Sequence, residues 1–170
     1  MAQQVVKDPY NLEFLTLAEE AKERDLERAL IHHLRDFLLE LGVGFAFVGS
    51  QFPIEVGGQK FRIDLLFYHL RLRAYIVVEM KAQDFKPEFS GKMNFYLSAI
   101  DDLLRHPDDQ PSIGMILCKS RNKVVAEYAV RDLQKPVGIA EYRVTSSLPQ
   151  ELQSGLPSVE ELERRLKANS

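Results

Sequence analysis

Apolar residues recur at helical spacing from Leu26 through Leu30, Leu34, Phe37 and Leu38 to Leu41. Asp25 stands where an N-cap is wanted, and Gly42 and Gly44 end the run, so the pattern predicts one helix over this stretch. The period then shortens. Phe45 to Val56, Phe61 to Tyr68 and Ala74 to Lys81 are dense in β-branched and aromatic residues and predict three strands, the first broken at Pro53. Val56-Gly57-Gly58-Gln59-Lys60 predicts a tight hairpin turn, and His69 to Arg73 the next connection. Tyr75-Ile76-Val77-Val78 has the uninterrupted apolar character of a strand covered on both faces. Pro87 suits the first turn of a second helix, whose apolar side is Met93, Tyr96, Leu97, Ile100, Leu103 and Leu104 and which His106-Pro107 ends. Ile113 to Cys118 then predicts a short buried strand, Asn122 to Leu133 a helix and Val137 to Tyr142 a last strand.

The order α-β-β-β-α-β-α-β predicts an α/β fold, a central mixed sheet with helices on both faces. Residues 1–24 are expected to form an arm. Its Tyr10, Leu12, Phe14, Leu15 and Leu17 are too apolar for a free tail, so it is expected to pack on the core or to lead to a domain absent from this chain. Residues 25–145 are the expected domain. Residues 146–170 are expected to be a linker followed by a short charged helix, Val159 to Lys167. No internal repeat is visible.

Composition narrows the setting. The 170 residues are 45% hydrophobic and 28% charged, ordinary for a globular domain, and enough to bury a real core. There is no apolar run of membrane-spanning length and no signal-peptide pattern at the start. Together with a single cysteine, Cys118, this leads us to expect a cytoplasmic protein without a membrane partner. Cys118 lies in an apolar run and is expected to be a small buried hydrophobe. The net charge of −3 argues against coating nucleic acid by charge alone, although an acidic metal site contributes to that total. His32, His33, His69 and His106 lack zinc-like spacing, and His69 and His106 are expected in turns.

Charged residues stand where a sheet interior is predicted. Asp64 interrupts Phe-Arg-Ile-Asp-Leu-Leu-Phe-Tyr, and Glu79 and Lys81 follow four apolar residues on the next strand. Unpaired charges are costly in such a place. Residues i and i+2 of a strand share a face, roughly 6.5–7 Å apart, so Glu79 and Lys81 point one way and Met80 the other. A hairpin between the second and third strands lets Asp64 stand beside Glu79. Two carboxylates, a lysine and the backbone carbonyl of Met80 then converge. Hard oxygen donors of this kind suit Mg2+ and metal-assisted phosphodiester hydrolysis. A buried carboxylate–lysine pair that only neutralises itself is the alternative. Glu27 heads a helical stripe continued by Ile31, Leu34 and Leu38, which places it beside an inward-facing apolar side, though an acid in a first helical turn is also favoured by the helix dipole. Arg62 shares the parity of Asp64, and Lys92 lies on a helix expected to cover this region. Both are candidate phosphate contacts.

Asp64, fifteen residues before Glu79-Met80-Lys81, resembles the signature of the PD-(D/E)xK nuclease superfamily. Lys7-Asp8-Pro9-Tyr10, Leu38-Leu39-Glu40-Leu41-Gly42, Phe45 to Gln51, Ile63 to His69 and Gly91 to Leu97 resemble the C-terminal nuclease domain of YhcG-type proteins. The resemblance implies a restriction-endonuclease-like αβββαβ core. It also implies a bacterial, DNA-directed, Mg2+-dependent endonuclease, Mn2+ substituting, and a helical N-terminal domain that this chain lacks. By that resemblance Asp64 and Glu79 are metal ligands, Lys81 is the catalytic lysine, orienting the attacking water or the phosphate, and Glu27 is the additional acid from the helix and a further candidate metal ligand. Ile63 stands where the superfamily's proline would be. Gln51 and Tyr96 are candidates for the edge of the site, with core packing as the alternative for Tyr96. Against the nuclease stands a non-catalytic module on the same fold, binding nucleic acid or protein within a larger complex. A homodimer is a further alternative.

Overall fold

A computed structural model describes residues 7–17 and 21–146. One six-stranded mixed sheet organises them, in the order β1-β6-β5-β4-β3-β2. The strands are β1 (Tyr10–Leu17), β2 (Phe45–Val56), β3 (Gln59–His69), β4 (Ala74–Met80), β5 (Ile113–Cys118) and β6 (Val137–Ser146). β2, β3 and β4 pair antiparallel, while β4, β5, β6 and β1 run parallel. The helices are α1 (Glu23–His32), α2 (Leu34–Leu41), α3 (Pro87–Leu103) and α4 (Lys123–Arg131). α1 and α2 bury Leu26, Leu30, Phe37 and Leu41 against Leu65, Phe67, Val78 and Met80 on one face of the sheet. α3 and α4 bury Met93, Leu97, Ile100 and Ala126 against Leu66, Val77, Ile116 and Cys118 on the other. β4 and β5, central and covered on both sides, are the continuous apolar runs that such a position requires. Gly114 on β5 lets α3 approach, since a Cβ there would lie 2.6 Å from Met93 Cγ.

Among the described residues the expected elements are present, with several differences. Residues 10–17 are a strand rather than an unassigned arm. Tyr10, Leu12 and Leu15 are buried, and β1 takes the free edge of β6 in parallel. Asp8 anchors its start, accepting from the Glu141 amide at 3.1 Å and pairing with Arg121. The single helix expected from Asp25 is two. His33 leaves helical backbone (φ −116, ψ 36), so α1 lies over β1 and β4 while α2 lies over β1 and β2. Asp25 is the third helical residue rather than the cap. Its carboxylate accepts from the amide of Lys22, the N-cap residue, at 3.0 Å, the return half of a capping box. Pro53 does not break β2, because β2 is an edge strand that can spare an N–H. Its irregularity is a one-residue register shift between Phe47 and Gly49.

The hairpin turn forms as expected. Val56 faces Gln59 across Gly57-Gly58, with φ of 58° and 79°, the left-handed pair a two-residue turn demands. His69 is the last residue of β3, and its Nδ1 accepts from the Leu72 amide at 3.1 Å. His106 likewise receives the Asp108 amide. The expected linker and charged helix of the C-terminal stretch lie outside the described residues. No described helix is long and apolar enough to cross a membrane.

Candidate active site

The ladder between β3 and β4 runs from His69–Ala74 to Leu65–Val78 and stops there. The next positions in that register are Asp64 and Glu79. Here side chains replace strand pairing. The Asp64 amide donates to Glu79 Oε2 at 3.1 Å, and the Met80 amide donates to Asp64 Oδ2 at 3.1 Å. Each carboxylate thus occupies the gap left as the two strands part. Glu79 is 3% exposed, and its Oε1 is buried without a hydrogen-bond partner. Burial, reinforced by the adjacent Asp64 charge, pushes the Glu79 carboxyl up to about 9, against a smaller opposing pull from Lys92. Two acids facing each other in low dielectric cannot both hold a charge cheaply without a cation.

Glu27 reaches the same place from α1. Its carboxyl is raised by burial and then by Asp64, and Gln51 Nε2 donates to its Oε2 at 2.6 Å. Gln51 lies between the Ser50–Leu65 and Phe52–Ile63 pairs, opposite Asp64, with a left-handed φ of 46°. Tyr96 closes the site from α3. Its hydroxyl is pushed up to about 12 by burial and then by Glu79 and Asp64. Lys92 Nζ stands 5.5 Å from the Tyr96 ring centroid. Asp64, Glu79, Glu27, Gln51, Tyr96 and Lys92 are therefore gathered around the point where β3 leaves β4. Arg62, also on β3, is exposed opposite Pro53.

Lys81 is placed differently. It lies one residue past β4, its amide donating to Leu117 O at 2.8 Å and its carbonyl accepting from the Tyr142 hydroxyl at 3.0 Å. Its side chain is 9% exposed, with Nζ 3.9 Å from Glu23 Oε2 and 4.8 Å from the Phe89 ring centroid. The ammonium of Lys81 is thus turned toward the first turns of α1 and α3, and no ion pair joins it to Asp64 or Glu79 among the described residues. Glu23 and Phe89 are not among the residues expected at the site. For Glu23 a signal existed: it precedes Glu27 by four residues, which puts both acids on one side of a helix.

The donor chemistry fits a hard divalent cation. Asp64 and Glu79 present carboxylate oxygens, and Glu79 Oε1 is a buried acceptor in want of a partner. Among the described residues, no group of three Asp, Glu, His or Cys side chains forms a complete cage.

The family described as the YhcG PDDEXK nuclease domain matches residues 3–157. YhcG of Escherichia coli (strain K12) is 43% identical over 151 residues, which cover 89% of this chain and 40% of that protein. The chain thus spans two-fifths of that relative's length. Among solved structures, a repair endonuclease from Pyrococcus abyssi matches with a TM-score of 0.47 and 17% identity, covering 76% of this chain and 50% of that one. EndoMS in a complex with double-stranded DNA matches with a TM-score of 0.47 and 13% identity over 72% and 46% of the two chains. Likenesses this distant say nothing of substrate.

Proposed function

The chain belongs to the YhcG PDDEXK nuclease domain family, and from that premise we propose that it is a Mg2+-dependent endonuclease that hydrolyses phosphodiester bonds of DNA at Asp64, Glu79 and Lys81. One observation carries the reading. Asp64 and Glu79 are held face to face where strand pairing ends, and one buried oxygen of Glu79 lacks a partner. Two such acids are costly for a fold that gains nothing from them.

Asp64 and Glu79 would hold the ion, with the Met80 carbonyl as a third donor. The Met80 amide already points at Asp64, and in an extended residue the carbonyl lies along the same strand edge. When bound, the ion supplies an acidified water and neutralises charge on the phosphate. Glu27, fixed by Gln51, adds negative charge beside Asp64 and is the acid placed to receive a proton. Lys81 orients the attacking water or a phosphate oxygen. Lys92 and Arg62 contact the flanking phosphates, and Tyr96 fills the α3 side of the site.

The test is cleavage of DNA and RNA, single- and double-stranded, with Mg2+, with Mn2+ and with chelator. Metal-dependent cleavage of DNA is expected. Asp64→Ala and Lys81→Ala should each lower it by roughly 100-fold or more, the scale on which metal and electrostatic contributions act. Cleavage that survives both substitutions overturns the site. Calorimetry that detects no Mg2+ or Mn2+ binding to the wild-type chain favours instead a non-catalytic binding module.

A further inference from the structure

The Lys81 side chain is nine-tenths buried, yet its ammonium forms no ion pair with Asp64 or Glu79 among the described residues. Its neighbours are the Glu23 carboxylate at 3.9 Å and the face of Phe89 at 4.8 Å. A buried ammonium needs an opposite charge to hold it in one place, and the attraction of a ring face alone is modest. Among the described residues, Glu23 is the acid within ion-pair distance of Lys81.

Glu23 is well placed to be a fixed reference point. It opens α1, and Leu26 and Leu30 anchor that helix in the core. Four residues on, Glu27 faces Gln51 and Asp64. One face of α1 therefore serves both halves of the site, Glu27 beside the acids and Glu23 beside the lysine. A divalent cation on Asp64 and Glu79 would repel an ammonium two residues along the chain. The Glu23 counter-charge beside Lys81 offsets that repulsion and keeps the amine in place.

We propose that Glu23 is a positioning residue, whose contact with Lys81 seats the amine between α1 and Phe89 for the cleavage step. It acts through Lys81 and touches neither substrate nor metal. The proposal rests on the nuclease reading for its catalytic half only.

Two measurements on Glu23→Gln and Glu23→Asp test it. The Glu23 side chain is 41% exposed, so neither substitution opens the core. First, the folded protein is labelled with limiting acetic anhydride, and acetylation of Lys81 is measured against that of Lys92 by mass spectrometry. Lys81 should label slowly in the wild type and faster in Glu23→Gln, with Glu23→Asp between them. Unchanged labelling of Lys81 in Glu23→Gln overturns the proposal, whatever the activity. Second, kcat and KM are measured for cleavage. A misplaced catalytic group costs about 10- to 100-fold in rate, so Glu23→Gln should lose that much in kcat with KM held within about twofold. Glu23→Asp should recover part of the loss. A kcat equal to wild type, or a change confined to KM, overturns it. If the wild-type chain cleaves no nucleic acid, the nuclease reading fails and the labelling result alone decides whether Glu23 holds Lys81.

Discussion

At residue scale Glu79 is the most telling group, because its neighbourhood suits a bound cation better than the bare carboxyl. Its Oε1 has no partner, and burial beside Asp64 disfavours its charge. Glu79→Gln keeps the shape and removes the acid. In metal-free protein its melting temperature should equal or exceed that of the wild type, and the rise that Mg2+ produces in the wild type should vanish. A melting temperature several degrees below wild type without metal would mean that the carboxyl serves folding instead. Asp101 shows the opposite balance. Burial alone would raise its carboxyl, but Lys135 Nζ at 2.8 Å and the Ser112 amide at 3.0 Å outweigh it and hold the group below the usual carboxylate range. A depressed carboxyl contributes stability above its unfolded value and loses it as pH falls through the folded one. Asp101→Asn, at a side chain 5% exposed, should therefore cost about 2 kcal/mol at neutral pH. The gap to wild type should begin to narrow as pH falls below about 4, the unfolded value, and should close only below the lower folded one, where both carry a neutral group. Urea denaturation at pH 7 and pH 3 measures both. The charged interruptions at Asp64, Glu79 and Lys81 were visible in the sequence because they break apolar runs. The direction of the Lys81 ammonium was not, since it depends on Glu23 and Phe89, brought in by two different helices.

At the scale of elements, strand parity lets Asp64 stand beside Glu79 if their strands form a hairpin, and the β3–β4 register makes them the next positions past the end of the ladder. Parity could not say that pairing ends at that point and that side chains take over the ladder's hydrogen bonds. β1 is the instructive omission. Its apolar residues were read as an arm that packs, and the alternation of buried Tyr10 and Leu12 with exposed Asn11 became a strand because β6, from the far end of the chain, offers an unpaired edge. If β1 is part of the folding unit, Leu12→Ala should destabilise the whole domain by about 2–5 kcal/mol, as for other fully buried leucines. Cooperative loss seen together by circular dichroism and by tryptic protection of α1 would confirm it. A variant as stable as wild type would make β1 dispensable. The break at His33 was equally hidden. The apolar spacing runs smoothly through it, and only the need of α1 and α2 to lie across different strands separates them.

The chain carries a net charge of −3, so under the proposed function its grip on a polyanion would come from a few local cations. Binding to DNA, if that function holds, should then depend on salt with a shallow slope. Arg62→Ala and Lys92→Ala should each reduce that slope by about one unit if each contacts one phosphate. Fluorescence anisotropy from low to moderate salt checks this, and unchanged slopes in both variants would remove these residues from the interface. The sequence by itself determined the α/β layering, the hairpin turn and the strands that bear Asp64 and Glu79. Periodicity, glycine pairs and charges inside apolar runs are local signals, and side-chain alternation along a strand is fixed by backbone geometry. Tertiary structure decided what depends on residues distant in the chain: the edge taken by β1, the parting of β3 from β4, the hold of Gln51 on Glu27 and the seat of Lys81 beside Glu23 and Phe89. Such contacts depend on how whole elements pack, and no local pattern encodes the distance between a side chain and a helix that arrives from elsewhere.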